Sequence, residues 1–212
     1  IESFELAYRM QSAAPEALAL EKEPEHIRKM YGLDDAKCKH FAAQCLTARR
    51  MVERGVRFVQ IYSGGMENQR SWDGHNDIHG NHTQFAGETD KPIAALLEDL
   101  SQRGLLDETL VIWGGEFGRL PLAQKSKKPG RDHNPHALTY WLAGGGAKGG
   151  VSYGETDEIG HKAAVNKAHI NDLHATILHL MGMDHEKLTY RYNGRDFRLT
   201  DVAGNVIKKV IA

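Results

Sequence analysis

Two polar segments of the 212-residue chain carry the residue types that bind metal ions. In the first segment, SGGMENQRSWDGHNDIHGNH, Asp73 and His75 are two residues apart, and Asp77, His79 and His82 follow shortly afterwards. A carboxylate oxygen and an imidazole nitrogen both suit Zn²⁺, Mn²⁺ or Fe²⁺, and the side chains of an extended Asp-x-His can converge on one cation. The alternative is a polar surface loop in which the histidines are merely solvated.

The second segment lies between two apolar runs and contains Glu116, Arg119, Arg131, Asp132 and His133. Metal coordination needs three or four groups from separate parts of a chain, so two such segments together predict a metal site. The two arginines offer a planar fork of donors to a tetrahedral oxyanion. Surface arginines paired with nearby acids are the alternative for these two residues.

Helices that alternate with strands must position both segments. The apolar spacing predicts three helices, three strands, an N-terminal helical arm and a C-terminal β-hairpin around Gly204 and Asn205. The first helix is expected over residues 35–53, the second begins at Asp90 or earlier and ends before Gly104, and the third runs from a cap at Asn171 or Asp172 to Gly182. The expected strands are 56–62, 109–113 and 137–143. The arm covers residues 1–34. This order predicts an α/β fold with a mostly parallel sheet and helices on both faces. The loops after its strands meet at one edge, where both polar segments are expected to emerge.

The composition is that of an ordinary globular chain, with 41% hydrophobic and 26% charged residues, which favours a single α/β domain over residues 1–212. A net charge of −1 without a concentrated basic stripe argues against nucleic acid or an anionic membrane as a partner. No apolar run approaches the roughly 18 residues of a membrane span. Cys38 and Cys45 are seven residues apart on an expected helix, too far for a disulfide, and are predicted to be buried free thiols.

Several longer motifs resemble one family. ARRMVERGVRFVQIY, WDGH, DLSQRGLLDETLVIWGGEFGR, GRDHNP, WLAGGGAKGG and DLHATILHLMGMDHEKLTYRYNGRDFRLTDV are similar to the DUF1501 proteins, sulfatase-like members of the alkaline phosphatase superfamily. The resemblance covers nearly the whole chain and matches the C-terminal part of that family. It implies an alkaline phosphatase-like sheet and metal-assisted transfer of a sulfuryl or phosphoryl group.

The resemblance also implies roles for individual residues. Asp73 and His75 match the middle Asp and His of the metal ligands, Glu116 matches the start of the later Asp-His pair, and His133 matches the last His. The ion would be divalent, with Zn, Mn, Ca and Mg all open. Phe117 departs from the pattern, because it stands where the His of the pair is expected and a second ion would lose a ligand there. Leu120 also departs, since most relatives have Thr beside the substrate arginine.

These observations predict a metal-dependent hydrolase of sulfate or phosphate esters, acting on a small molecule or a polysaccharide, with Arg119 and Arg131 binding the oxyanion. The nucleophile is expected outside this chain, which begins at Ile1 and reads as part of a longer, exported protein. The piece alone is therefore expected to be inactive. A non-catalytic exported binding or structural protein that keeps the fold is the alternative, and a mutase or phosphodiesterase is a third possibility within the same superfamily.

Overall fold

The computed structural model describes residues 2–64, 71–123 and 125–212, apart from some side chains of the first helix. The chain forms two compact units. The first comprises Ile1–Leu105 and Ser126–Gly130, and the second comprises Leu106–Lys125 and Arg131–Ala212.

The first unit is helical. Its helices are α1 (Glu2–Leu18), α2 (Glu25–Tyr31), α3 (Lys39–Glu53) and α4 (Ile78–Gln102), with a 3₁₀ turn at Leu20–Lys22. Helix α3 packs against α4 and α2, and the buried side chains between them include Tyr31, Cys45, Leu46 and Leu100. Removing these apolar side chains from water is what holds the helices together.

A charged cluster lies within the helical core. Arg49 is 1% exposed and forms ion pairs with Glu23 at 2.8 Å, Glu53 at 2.6 Å and Asp99 at 2.8 Å. The Tyr31 hydroxyl donates a hydrogen bond of 3.0 Å to Asp99, and burial raises the pKa of this tyrosine. A buried guanidinium needs such partners, because the loss of one would leave an uncompensated charge in the core.

The second unit consists of short antiparallel strand pairs and one helix. The strands are β1 (Val111–Trp113), β2 (Gly118–Ala123), β3 (Arg131–Asn134), β4 (Trp141–Ala143), β5 (Glu155–Thr156), β6 (Ala163–Val165), β7 (Thr189–Tyr192) and β8 (Arg195–Arg198). They pair as β1 with β4, β2 with β3, β5 with β6 and β7 with β8. Helix α5 spans Ile170–Leu180, and 3₁₀ turns lie at Leu106–Glu108 and Lys208–Val210.

The predicted parallel sheet is wrong. Each strand pair among the described residues is antiparallel and two-stranded, and residues 56–62 belong to none of them. The described residues between β1 and β4 contain the β2–β3 hairpin and no helix, whereas parallel pairing needs a long crossover, usually helical. The expectation that both polar segments emerge at the carboxyl edge of one parallel sheet is therefore wrong as well.

The helix predictions are closer to the structure. Gly55 and Gly104, with φ of 81° and 68°, follow the last turns of α3 and α4 as expected. Helix α4 begins at Ile78, twelve residues before Asp90, and α5 is capped by His169 rather than by Asn171 or Asp172. Asp172 accepts a hydrogen bond from the backbone of His169, which completes a capping box.

Three smaller predictions have clear outcomes. The predicted hairpin around Gly204 and Asn205 is wrong, because the observed β7–β8 hairpin lies earlier in the chain and turns at Asn193–Gly194, where φ is 46° and 80°. Positive φ at both central residues is the pattern of a type I′ turn, for which Asn-Gly is favoured. Cys38 and Cys45 are buried and unpaired, as predicted. Among the described helices, none combines the length and the apolar character needed to cross a membrane.

Candidate metal centre

The Asp73–His75 segment is a tight turn before α4, in the first unit, with unusual backbone geometry on either side. Trp72 has φ of 61° and Asp77 has φ of 48°, both in the left-handed region. Asp tolerates that region, but a bulky aromatic residue adopts it only at a cost of order 1–3 kcal/mol when the surroundings enforce it. Backbone strain of this kind concentrates at functional sites.

The surroundings of Trp72 show how this conformation is held. The indole Nε1 donates a hydrogen bond of 2.9 Å to the Ser63 hydroxyl. The ring packs edge-on against His82, with centroids 5.6 Å apart, and against the buried Phe85 at 5.7 Å. Because both partners belong to α4, the first turns of that helix fix the residue that precedes Asp73.

The other ligand-type residues of this segment have structural roles. Asp77 caps α4 by accepting a bond of 3.2 Å from the Gly80 amide, and it accepts a bond of 2.8 Å from the Lys128 ammonium. The lysine hydrogen bond lowers the pKa of this carboxyl. Nδ1 of His82 donates to the Ile78 carbonyl at 3.1 Å, which fixes its tautomer.

Asp73 and His75 lie together. Asp73 Oδ1 and His75 Nε2 are 3.3 Å apart, and the two side chains are 41% and 36% exposed. This distance allows a direct ion pair between the carboxylate and the imidazole, and it lies near the upper end for an N–H···O hydrogen bond. Two ligands at about 2.0–2.2 Å from a tetrahedral Zn²⁺ are separated by about 3.3–3.5 Å. The pair therefore has the spacing of one edge of a tetrahedral metal site.

Residues 126–130 are fixed against this turn within the same unit. Asn76 forms a β-bridge with Pro129, and the amides of Asp77 and Ile78 donate to the carbonyls of Lys128 and Pro129 at 3.1 and 3.2 Å. Gly130 is packed so tightly against the His75 carbonyl that a Cβ atom would overlap it. The chain that leads into β3 is thus held beside His75 up to Gly130.

His133 lies on β3 in the second unit. The β2–β3 register places it opposite Arg119, and the Phe117 ring covers its imidazole with centroids 4.0 Å apart and a tilt of 34°. The next residue, Asn134, is 1% exposed; its side chain donates to the His161 carbonyl at 2.9 Å and accepts from the His136 amide at 3.1 Å. The buried amide and the aromatic contact together restrict the position of His133.

The two predicted oxyanion-binding arginines are neighbours on this hairpin. Arg119 donates a bond of 3.1 Å to the Arg131 carbonyl across the β2–β3 pair. Glu116 is exposed in the turn before β2. Burial and the charge of Glu116 raise the pKa of Tyr140, so this carboxylate acts electrostatically on the tyrosine.

The structure brings Asp73 close to His75, Arg119 close to Arg131, and His133 close to Phe117. That Asp73, His75, Glu116 and His133 share one metal site stays a prediction. The sequence analysis missed the structural roles of Trp72 and Gly130. In the sequence, these roles are marked by no more than the WDGH motif and the Pro-Gly pair that precedes Arg131. Residue types alone do not reveal a strained φ or a backbone contact.

Comparison of the sequence with models of known protein families identifies the family of this chain. Residues 1–211 match the profile of the family described as "Protein of unknown function (DUF1501)", and the chain belongs to that family. No curated protein and no solved structure matches it.

Proposed function

We propose that this DUF1501 protein binds one divalent metal ion through Asp73, His75 and His133, and that the complete protein uses the ion to hydrolyse a sulfate or phosphate ester. The 3.3 Å separation of Asp73 Oδ1 and His75 Nε2 carries the proposal, because it matches the spacing of two ligands of one tetrahedral ion. The strained backbone at Trp72 supports a functional role for the same turn.

Covalent connectivity supports His133 as the third ligand. Gly130 lies against the His75 carbonyl, and His133 follows it by three residues. Three residues of extended chain span at most about 11 Å, so the backbone of His133 cannot be far from that glycine. Neutral imidazole is a common ligand, and an aspartate with two histidines is a donor set that suits Zn²⁺ or Mn²⁺.

The other residues have supporting roles in the proposal. Arg119 and Arg131 would bind the ester oxyanion, since guanidinium groups match the geometry of sulfate and phosphate oxygens. A bound divalent ion would polarise the ester oxygen and stabilise negative charge as the bond to the leaving group breaks. We assign one ion, because Phe117 lies against His133 and offers no ligand for a second; Glu116 would act on the site electrostatically.

The same phenylalanine favours a second candidate function. With an aromatic ring in place of a further ligand, the site could hold an ion that only stabilises an exported binding or structural protein. This candidate shares the metal site with the first and differs in having no turnover.

The test is hydrolysis of aryl sulfates and aryl phosphates by the full-length protein, with chelator and with added Zn²⁺ or Mn²⁺. We expect metal-dependent turnover that His133→Ala abolishes. His79→Ala is the matched control, because His79 is an exposed histidine of the same segment outside the proposed ligand set, and it should leave turnover unchanged. Turnover that survives chelation would contradict the metal mechanism, whereas metal binding without turnover would favour the non-catalytic candidate.

A further inference from the structure

A pair of histidines outside the proposed metal centre lies where two segments of the second unit meet. His136 follows β3 by two residues, and His161 lies in the loop of the β5–β6 hairpin. The centroids of their rings are 5.9 Å apart, and the ring planes are inclined by 48°. His136 is exposed and His161 is half-buried, so the pair is accessible from solvent.

One buried side chain holds the backbones of both histidines. Asn134 is 1% exposed; its Nδ2 donates to the His161 carbonyl at 2.9 Å, and its Oδ1 accepts from the His136 amide at 3.1 Å. The Ala163 amide also donates to the His136 carbonyl at 2.9 Å. Hydrogen bonds therefore join the segment that carries His136 to the loop that carries His161.

The loop around His161 is itself ordered. The Asp157 carboxylate accepts a bond of 2.7 Å from the His161 amide, and the Asp157 amide donates to the Lys162 carbonyl at 2.9 Å. Side chains whose backbones are fixed before a ligand binds lose less conformational entropy on binding. The two imidazoles are thus supported as a pair by bonds within the second unit.

The distance between the rings suits two ligands of one transition-metal ion. An imidazole nitrogen lies about 2.0–2.1 Å from a bound ion and about 1.1 Å from the centre of its own ring, so two imidazoles of one ion have centroids about 4.5–6.4 Å apart. The observed 5.9 Å lies within that range.

The number and type of ligands select the ion. The affinity of nitrogen ligands for divalent ions is greatest for Cu²⁺, whereas Zn²⁺ prefers a site with three or four protein ligands. We propose that His136 and His161 bind one Cu²⁺ ion, with water at its other positions. Zn²⁺ at concentrations that fill a three-ligand site leaves this pair empty. The copper site goes beyond the proposed ester hydrolysis and does not depend on it.

The test is titration of the metal-free full chain with Cu²⁺, followed by electron paramagnetic resonance, in a His75→Ala/His133→Ala background. The copper spectrum should show coupling to imidazole nitrogens. His136→Ala and His161→Ala should each weaken copper binding on the order of ten-fold or more, because each removes one of two ligands. His174→Ala is the matched control, since His174 is an exposed histidine of α5 outside the pair, and it should bind copper like the background protein.

Unchanged copper affinity in both His136→Ala and His161→Ala would overturn the proposal. An equal loss in His174→Ala, or a copper spectrum without nitrogen coupling, would overturn it as well. Circular dichroism without copper should show the same fold in all of the variants. Because the background lacks both histidines of the proposed metal centre, the result does not depend on whether that centre binds an ion, and a failure here leaves the zinc titration of that centre to be judged separately.

Discussion

Asp73 and His75, the two proposed ligands of the first unit, lie in a short turn that holds them in place. The Trp72 indole is anchored to Ser63 and to two rings of α4, so the residue before Asp73 has little freedom. Gly74 is buried, and a Cβ there would come within 2.9 Å of Ile78 and 3.0 Å of His82. Ligands that are held in place before binding lose less conformational entropy when the ion binds.

In the second unit, Phe117 provides a test of whether neighbouring side chains hold a proposed ligand, His133, in place. Replacing Phe117 by Leu should weaken metal binding about 2- to 10-fold, since contact between two aromatic rings contributes about 0.5–1.5 kcal/mol and here orients the His133 imidazole. Phe117→Trp keeps a ring and should retain most of the affinity. Calorimetric titration with Zn²⁺ measures both variants.

The control for this series is Phe58→Leu, because Phe58 is 69% exposed and has no place in the proposed site. Its affinity for the ion should equal that of wild type. Unchanged affinity in Phe117→Leu, with the fold intact by circular dichroism, would show that the ring does not position His133.

At the scale of elements, residues 126–130 pack against the turn before α4 within the first unit. Gly130→Ala should destabilise the protein by about 1–3 kcal/mol, because the added Cβ would overlap the His75 carbonyl and the backbone must move. It should also weaken metal binding by displacing His75. Urea unfolding gives the first quantity, and calorimetric titration gives the second.

Gly149→Ala is the matched control, since a Cβ at Gly149 would meet nothing within 4 Å. Its free energy of unfolding should stay within about 0.5 kcal/mol of wild type. If Gly130→Ala were equally mild, the packing between Gly130 and His75 would not be as tight as described.

The elements that could be predicted from the sequence are those fixed by interactions between residues close together in the chain. The glycines after α3 and α4 end those helices through interactions within one or two turns, so residue types alone mark the ends. Strand pairing depends on partners distant in the chain, and three apolar runs could not distinguish a parallel sheet from the observed antiparallel β1–β4 pair. The Asn193–Gly194 pair is also a local turn signal, although the turn was expected at Gly204 and Asn205.

The proximity of some candidate site residues was predictable for the same reason. Asp73 and His75 are close in sequence, and the structure places Asp73 Oδ1 and His75 Nε2 3.3 Å apart. The Phe117–His133 stack and the Arg119–Arg131 contact depend on the register of the β2–β3 pair, which residue types do not reveal. The predicted sheet edge that was to unite the two polar segments is absent from the described residues.

At the scale of the whole molecule, ion pairs and hydrogen bonds should make stability depend on pH. Glu23 is buried, which by itself raises its pKa, but hydrogen bonds from Arg49 and Arg50 and the charges of these arginines hold the pKa below its usual value. Backbone hydrogen bonds likewise lower the pKa values of Asp157 and Asp184. A carboxyl whose folded pKa is depressed contributes stability above its unfolded pKa and loses that contribution as the pH falls through the folded value.

We therefore expect the free energy of unfolding to decrease as the pH falls below about 4.5. Glu23→Gln should lower stability at pH 7 and make the decrease at acidic pH smaller. Glu21→Gln, an exposed neighbour in sequence, should change neither. Urea unfolding over a pH series measures the effect, and an unchanged acid dependence in Glu23→Gln would show that this ion cluster does not contribute to it.

The most direct test of the metal proposal is the number of ions bound per chain. Calorimetric titration of the metal-free chain with Zn²⁺ should give one ion per chain in wild type and in His79→Ala, and a large loss of affinity in His75→Ala and His133→Ala, because each removes a ligand. The bound ion should also raise the free energy of unfolding, by about 2.7 kcal/mol at a concentration one hundred times the Kd. Equal affinity in all four proteins, or no binding in any of them, would contradict a metal site formed by Asp73, His75 and His133.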